Sequence, residues 1–244
     1  MTPRVSFQEL SKDFGAVRAV DRLTLDLFPG EIFVFLGPNG AGKTTTIKML
    51  VGLLEPTRGS VLVEGANLSV SPQVVKRKIG YIPDEPYLYE KLTGMEFLDF
   101  VGTLYGIPQE IRVLRRDRLI ELFRLKPMTH QLVESYSHGM RQRLVYASVL
   151  LREPPLLVVD EPTVGLDPEG MRLVRRLFRQ MADGGATILL STHVLSLAEA
   201  IADRIGILHQ GRLLACGSLK ELLQGKPGSS GLEECFLRFV SDSS

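Results

Sequence analysis

A glycine-rich segment near the start of the chain has the spacing of a phosphate-binding loop. It directly follows the apolar run 32–36 and precedes a helical pattern. Glycines let the backbone curl so that successive N–H groups face an anion, and the positive end of the following helix adds to the attraction. The segment matches the P-loop pattern and predicts nucleotide binding. It consists of Gly37, Pro38, Asn39, Gly40, Ala41, Gly42, Lys43 and Thr44.

Side chains at the end of this loop suit the phosphates of a nucleotide and a bound metal ion. Lys43 is expected to hold the β- and γ-phosphates, and the Thr44 hydroxyl is expected to bind Mg²⁺. Thr45 can add a phosphate contact. The alternative is a glycine-rich turn that matches by chance, and the predicted strand and helix on either side argue against it.

Two adjacent acids end another apolar run, more than 100 residues after Lys43. Asp160 would bind Mg²⁺ directly or through water, and Glu161 would polarise the water that attacks the γ-phosphorus. An acidic pair at a strand end can instead cap a helix, so the catalytic interpretation depends on the P-loop. The pattern resembles a Walker B motif.

A histidine lies just beyond a third apolar strand. The His193 ring could hydrogen-bond the γ-phosphate and help to hold the attacking water near Glu161. The other histidines lack this placement at a strand end, and we assign them no catalytic role. His130 and His209 are expected in loops or on the surface.

The elements that must position these residues are strands followed by helices. Segments 4–10 and 22–28 alternate apolar and polar residues, which predicts an antiparallel edge with a loop at Phe14-Gly15. The wholly apolar run 32–36 suits a strand covered on both faces of a parallel sheet. Because the carboxyl ends of parallel strands share one edge, the active groups would gather there. The sequence predicts an α/β fold.

Between residues 85 and 150 the pattern becomes helical and predicts an inserted subdomain. Thr93 and Glu96 form a capping-box pattern before one helix, and a second helix is expected over 110–125. Four arginines on the second helix could be a nucleic-acid patch, but intervening acids favour a solvated helix face. They are Arg112, Arg115, Arg116 and Arg118.

The last part of the chain predicts a hairpin over 205–215 that turns at Gln210-Gly211, then a short helix over 219–223. Residues 225–231 have the composition of a flexible linker. The final segment, 232–240, would dock as a helix or remain loose. We therefore divide the chain into one domain, 1–225, and a linker with a C-terminal tail, 226–244.

Composition limits the partners and the compartment. The net charge of +1 and the pI of about 7.8 give no electrostatic case for nucleic acid or an anionic membrane surface. The longest apolar runs fall far short of the roughly 18 residues that cross a bilayer, and the N-terminus lacks the apolar core of a secretory signal. Cys216 and Cys235 show no metal-ligand spacing, so we expect a reducing cytoplasm.

The segment from Tyr136 to Arg143 resembles the signature of ATP-binding-cassette (ABC) proteins, usually written LSGGQ. It is a diverged copy that retains the small residues Ser137 and Gly139, and Ser137 can cap the next helix. Asp167 lies in a segment that resembles the D-loop, and 191–193 resembles the switch-histidine segment. Phe14 resembles the aromatic A-loop residue that stacks on adenine, with a buried core phenylalanine as the alternative.

These motifs occur in the family's order across residues 4 to about 215. The resemblance implies a P-loop NTPase (ABC ATPase) core with an antiparallel β edge and an inserted α-helical subdomain. It also implies a head-to-tail homodimer, or a heterodimer with a related cassette, that sandwiches two ATP molecules with Mg²⁺. The transporter's integral membrane subunits would be the partners, and the chain would lie peripherally on the cytoplasmic face of the cell membrane. The subgroup it resembles is the ABC-2-type exporters.

One position departs from the family pattern. The Q-loop commonly has glutamine where this chain has Asp84, whose carboxylate can still ligate Mg²⁺ or can be an ordinary loop acid. The apolar residues that follow would contact a transporter coupling helix or form subdomain core. They are Tyr87, Leu88, Tyr89 and Leu92.

Two other functions share some of these motifs. An ABC ATPase of translation or DNA repair would normally carry tandem cassettes, long coiled coils or nucleic-acid-binding elements, which these residues do not provide. A P-loop kinase or another NTPase is disfavoured by the signature-like segment before Asp160 and by Asp167 and His193 after it. We therefore expect an ATP-hydrolysing subunit that drives transport.

Overall fold

The computed structural model describes residues 2–85, 87–162, 166–224 and 231–241. In those residues, ten strands form a four-stranded and a six-stranded sheet. The strands are β1 (Val5–Phe14), β2 (Val17–Leu27), β3 (Ile32–Leu36), β4 (Arg58–Val63), β5 (Ala66–Asn67), β6 (Ile79–Ile82), β7 (Leu156–Asp160), β8 (Thr187–Thr192), β9 (Arg204–His209) and β10 (Arg212–Gly217). The helices are α1 (Lys43–Leu50), α2 (Pro72–Lys78), α3 (Gly94–Leu104), α4 (Gln109–Leu122), α5 (His138–Leu150), α6 (Pro168–Asp183), α7 (Leu195–Ile201), α8 (Leu219–Gln224) and α9 (Leu232–Ser241).

The smaller sheet is the predicted antiparallel edge, with strand order β2-β1-β4-β5. Its first two strands are longer than predicted, and Phe14 ends β1 while only Gly15 and Ala16 form the turn. Glu9 and Arg22 have positive φ angles near irregular points of the pairing. Such irregularities interrupt the alternation of apolar and polar residues, which explains why the pattern underestimated both strands.

The larger sheet has the order β10-β9-β3-β8-β7-β6, and the five strands from β9 to β6 are parallel to one another. Every residue of β3 is buried, as expected for a strand covered on both faces. The hairpin between β9 and β10 turns at Gln210 and Gly211, as predicted. The mixed α/β architecture confirms the predicted fold class.

Alternate residues of β3 face two different cores. Phe33 and Phe35 pack with the smaller sheet and α1, whereas Val34 and Leu36 pack with the helices of the other side. This division follows from the two-residue period of a strand. The six-stranded sheet is therefore the central layer, which brings the carboxyl ends of β3, β7 and β8 to one edge.

The predicted helical subdomain contains α3, α4 and α5. The capping box at Thr93 and Glu96 is present at the start of α3. Helix α4 ends at Leu122 instead of 125, because the chain turns back where Arg124 has a φ of 53°. Three of the four α4 arginines form ion pairs within the protein: Arg112 and Arg116 with Asp99, and Arg115 with Glu153.

The C-terminal segment docks as a helix, since α9 packs against α7, α8 and β10. Residues 225–230 of the expected linker lie outside the described residues, and the proposed division at 225/226 stays a prediction. Cys216 is exposed, and Cys235 is buried with its Sγ donating to the Leu222 carbonyl at 3.3 Å. Among the helices of the described ranges, none has the length and apolar composition that a bilayer crossing requires.

Candidate functional site

The glycine-rich loop connects β3 to α1 at the carboxyl edge of the central sheet. Gly42 has a φ of 100°, and a Cβ there would lie 2.5 Å from the Ala19 carbonyl oxygen. A Cβ at Gly37 would lie 2.3 Å from the Leu208 carbonyl oxygen. Both positions therefore need glycine, one for its backbone conformation and both for the close approach of neighbouring backbone.

Lys43 begins α1 and is buried, with 5% of its surface exposed. Its Nζ donates to the carbonyl oxygens of Gly37 at 2.7 Å and Pro38 at 3.0 Å, and lies 4.0 Å from Glu161 Oε1. Burial lowers the Lys43 pKa, and the charges of Glu161 and Asp160 partly oppose that shift. The loop thus holds one ammonium group against the acids at the end of β7.

The other predicted loop residues line the same turn. Asn39 and Gly40 are exposed, whereas Ala41 is buried against the core. Thr45 is half-buried in the first turn of α1. The exposed backbone of 39–40 is the part of the loop that a ligand can reach from solvent.

Asp160 lies at the end of β7, next to Thr44. Thr44 Oγ1 donates to Asp160 Oδ1 at 3.3 Å, and Ser191 Oγ donates to the same oxygen. The other oxygen, Oδ2, is buried and has no hydrogen-bond partner among the described residues. Burial raises the pKa of Asp160 while the hydrogen bonds from Ser191 and Thr44 oppose this, and the charge of Asp84 adds to the rise.

This donor set fits a divalent cation. An orphaned carboxylate oxygen beside a threonine hydroxyl supplies the hard oxygen ligands that Mg²⁺ prefers, and a cation would offset the cost of burying Asp160. Asp84 follows β6, and its charge acts on Asp160, although its Oδ1 accepts a hydrogen bond from the Glu85 N–H at 2.9 Å. Of the predicted metal ligands, Thr44 and Asp160 are therefore in contact, and Asp84 lies nearby.

Glu161 directly follows Asp160 and has a positive φ of 48°. Its N–H donates to the Ser191 carbonyl at 3.1 Å, which fixes the backbone against β8. Thr192 Oγ1 donates to Glu161 Oε2 at 3.3 Å, and His193 Nδ1 lies 3.0 Å from Oε1. The structure therefore brings together the predicted catalytic residues Lys43, Glu161 and His193.

Ser191 and Thr192 contact the two acids, Asp160 and Glu161, and were not predicted as site residues. The order of the strands in the sheet explains these contacts, because β8 pairs with β7 in parallel and places Ser191 opposite Asp160. Polar residues at the ends of adjacent strands meet at the shared carboxyl edge. Strand adjacency across the intervening α6 could not be read from either segment alone.

Phe14 lies at the end of β1 with 49% of its surface exposed. The Lys12 Nζ lies 5.2 Å from the centre of its ring. The alternative of a buried core phenylalanine is therefore wrong, because about half of this residue is open to solvent.

Ser137 is the N-cap residue of α5, and Gly139 lies in the first turn of that helix. Ser137 accepts a hydrogen bond from the Met140 N–H at 3.3 Å, which confirms the predicted cap. Helix α5 packs mainly against α3, α4 and β6. Ser137 is exposed, so this helix end faces solvent.

Asp167 caps α6 and links it to α5. Its Oδ1 accepts from the Gly170 N–H at 2.7 Å, and Arg143 Nη2 lies 3.0 Å from its Oδ2. The backbone hydrogen bond from Gly170 is the main cause of its lowered pKa, and Arg143 adds to it. Gly165, in the segment that resembles the D-loop, lies outside the described residues.

A glycine loop around a buried lysine, with an acid pair at the end of another strand of the same parallel sheet, defines a P-loop nucleoside triphosphatase. The sequence model of one family, described as "ABC transporter", matches residues 20–164. A bacitracin transport ATP-binding protein of Bacillus licheniformis is 40% identical over 88% of this chain and 69% of its own length.

A second relative, an uncharacterized ABC transporter ATP-binding protein of a Nostoc species, is 42% identical over 82% of this chain and 60% of its own length. The chain thus spans only part of both relatives. A solved structure described as the ATP-binding subunit of an ABC transporter superposes with a TM-score of 0.92 and 35% identity. That superposition covers 98% of this chain and all of the other.

The chain belongs to the ABC transporter family. It is an ATP-binding subunit with ATPase activity that serves transport, and the comparisons do not favour the alternative in translation or DNA repair.

Proposed function

We propose that this chain completes its ATP sites by pairing with a second cassette, either its own copy or a related subunit. One observation carries the proposal. The P-loop, the acid pair and His193 meet at one edge of the sheet, while the capped N-terminal end of α5 is exposed elsewhere on the same chain. Both features suit phosphate, so two chains arranged head to tail would enclose ATP between unlike surfaces.

Within one ATP site, each predicted residue would have a separate role. The N–H groups of the loop 37–42, in which Pro38 has none, would hold the β- and γ-phosphates together with Lys43 and Thr45. Phe14 would stack on the adenine ring, and Ser137 and Gly139 of the second chain would approach the γ-phosphate. Asp167 would position the start of α6 at the same junction.

Thr44 and Asp160 would hold Mg²⁺, and Asp84 would add a carboxylate on the same side. When bound, the ion would neutralise charge on the phosphate oxygens. Asp160 is buried and fixed by the Ser191 hydroxyl, so this carboxylate would present Oδ2 without reorganising.

Glu161 would act as the general base. It would accept a proton from the attacking water, whose oxygen forms a bond to the γ-phosphorus while the bond to the β–γ bridging oxygen breaks and ADP leaves. His193 and Thr192 would orient the carboxylate through their contacts with its two oxygens. Lys43 would stabilise the charge that develops on the transferred phosphoryl group.

An aromatic groove supports contact with a membrane subunit. The groove lies between α3 and the β6 edge and has a volume of about 420 Å³. Tyr87 is 83% exposed and Leu104 is 66% exposed there, and the rings of Tyr89 and Phe100 lie edge to face at 5.3 Å. Leu88 and Leu92 instead pack against the core. We propose that the exposed set receives an apolar helix of an integral membrane subunit, at the cytoplasmic face of the cell membrane.

The pairing is tested with Glu161→Gln, which removes the base and keeps the phosphate contacts. With Mg²⁺ and ATP this variant should bind nucleotide, hydrolyse it about 10²–10⁴-fold more slowly, and elute as a dimer in size-exclusion chromatography with light scattering. The exposed Glu55→Gln is the matched control and should retain wild-type turnover.

If the ATP-loaded Glu161→Gln protein stays monomeric alone and with every co-expressed related cassette, the pairing proposal is wrong. Co-purification of Leu104→Glu with the membrane subunit tests the groove separately. Loss of that association with normal ATP binding supports the groove, and full retention contradicts it.

A further inference from the structure

A second cavity lies near the amino ends of β7 and β8, at the edge of the central sheet opposite the P-loop. It has a volume of about 490 Å³ and opens where the connection from α5 to β7 meets the end of α6. Residues of α4 form its other wall, so the helical subdomain and the ATPase core both contribute. None of the residues assigned to ATP binding or hydrolysis lines it.

The floor of this cavity is apolar. Leu119 and Leu122 of α4 face Leu177 and Met181 of α6 across it, and two consecutive prolines close one side. The volume falls within the range of roughly 300–1,000 Å³ that is typical of small-molecule sites. A cavity of this size and lining suits an apolar group that is several carbons long.

The rim of the cavity is cationic. Arg4 donates to the Gly185 carbonyl at 2.9 Å and pairs with Glu64, yet its Nε is buried and has no hydrogen-bond partner in the described ranges. Arg115 donates to the Leu151 carbonyl at 3.3 Å and pairs with Glu153, the one acid of the lining.

Arg118 is the third arginine of the rim, and it is exposed. It forms no ion pair among the residues that the structure describes. After the pairs with Glu64 and Glu153 are counted, the rim therefore retains one positive charge, and the guanidinium donors of Arg118 have no partner among the described residues. Guanidinium groups recognise carboxylate and phosphate through charge-assisted hydrogen bonds.

We propose that this cavity binds a free anion that has one apolar tail, such as a short fatty acid. The tail would lie between α4 and α6, and the anionic head would lie against Arg118 and Arg4. The apolar floor excludes a fully polar anion from the cavity, and the cationic rim disfavours an apolar cation. Because the ligand would touch both the helical subdomain and the core, it would tie α4 to α6. The proposal is independent of the dimer and of the hydrolytic roles.

The test uses octanoate as the probe, titrated calorimetrically into the whole chain, with octan-1-ol and octylammonium as probes of the same tail length. Octanoate should bind saturably with one site per chain, and the other two should bind at least about tenfold more weakly. Equal binding of octylammonium, or no saturable octanoate binding up to about 1 mM, would overturn the proposal.

Substitutions locate the site. Arg118→Glu reverses an exposed rim charge and should weaken octanoate binding at least about tenfold, whereas Arg77→Glu, an exposed arginine of α2, should not change it. Leu104→Glu in the aromatic groove should also leave binding unchanged. Loss of octanoate binding in Leu104→Glu, or its retention in Arg118→Glu, would show that the anion binds elsewhere.

Discussion

His193 Nδ1 lies 3.0 Å from Glu161 Oε1, although the two residues follow different strands. Their meeting follows from the parallel pairing of β7 and β8, in which Asp160 stands opposite Ser191. Thr192 Oγ1 contacts the other carboxylate oxygen at 3.3 Å. Each oxygen of Glu161 thus has a protein partner, so the orientation of the carboxylate is fixed from both sides.

Removal of the His193 ring should slow hydrolysis more than it weakens binding. In His193→Ala, Glu161 loses one of its two side-chain hydrogen-bond partners, and misplacement of a catalytic group by about 1 Å can cost roughly 10²-fold in rate. We expect kcat for phosphate release to fall by about that factor, with ATP affinity nearly unchanged in equilibrium titrations. The exposed His130→Ala is the control, and an unaltered kcat in His193→Ala would contradict the positioning role.

A bulky cation at the start of α5 should prevent pairing without harming the P-loop. Ser137 is exposed, so Ser137→Arg should fold normally and still bind ATP as a monomer. In an otherwise Glu161→Gln chain, the substitution should abolish the ATP-dependent dimer in size-exclusion chromatography, because the arginine fills the space of the second phosphate contact. Ser69→Arg, at an exposed position of another loop, should leave the dimer intact, and a dimer that survives Ser137→Arg would refute the role of this helix end.

Neutralisation of Asp160 should stabilise the nucleotide-free protein while it removes activity. Burial raises the folded-state pKa of Asp160 above the unfolded value of about 3.9. As the pH rises from the unfolded pKa to the folded one, the native chain keeps a proton that the unfolded chain has lost, so this group's contribution to stability falls and stays low at pH 7.

Asp160→Asn removes that penalty and can keep an oxygen toward Ser191 and Thr44. The free energy of unfolding in urea should therefore exceed that of the wild type at pH 7, and the difference should shrink toward pH 4. Mg²⁺-dependent hydrolysis should be lost in the same variant. A destabilised Asp160→Asn protein at pH 7 would contradict this reasoning.

Loss of the hydroxyl should affect the stability of the protein differently at two tyrosines of the helical subdomain. Tyr146 is fully buried, and its hydroxyl has no partner in the described residues, so Tyr146→Phe should be neutral or stabilising. Tyr136 donates to the Met128 carbonyl at 2.5 Å, so Tyr136→Phe should cost about 1 kcal/mol. Thermal and urea unfolding measure both, and the prediction fails when Tyr146→Phe is the less stable of the two.

The sequence was most informative where chemistry is local. The P-loop, the acid pair and the capping box at Thr93 each occupy a few consecutive residues, and the structure places them at the strand and helix ends that were expected. The ABC family was predicted in the same way, since its motifs are short and ordered along the chain, and the comparisons confirm it.

Features that depend on packing were not predicted. The bulged pairing at Glu9 and Arg22 lengthened β1 and β2 beyond their alternating patterns. The contacts of Ser191 and Thr192 depend on which strands are neighbours, and the arginine-rimmed cavity combines residues that are far apart in the sequence, such as Arg4 and Ala186. The residues that form each of these contacts are too far apart in the sequence to be recognised from one short segment.

Helix α6 has one further consequence. It has 16 residues and so spans about 24 Å, beginning at the Asp167 cap and ending beside the arginine-rimmed cavity. Val174 and Phe178 anchor the middle of the helix in the core. One continuous helix therefore joins the Asp167 cap, at the proposed dimer junction, to the lining of the arginine-rimmed cavity.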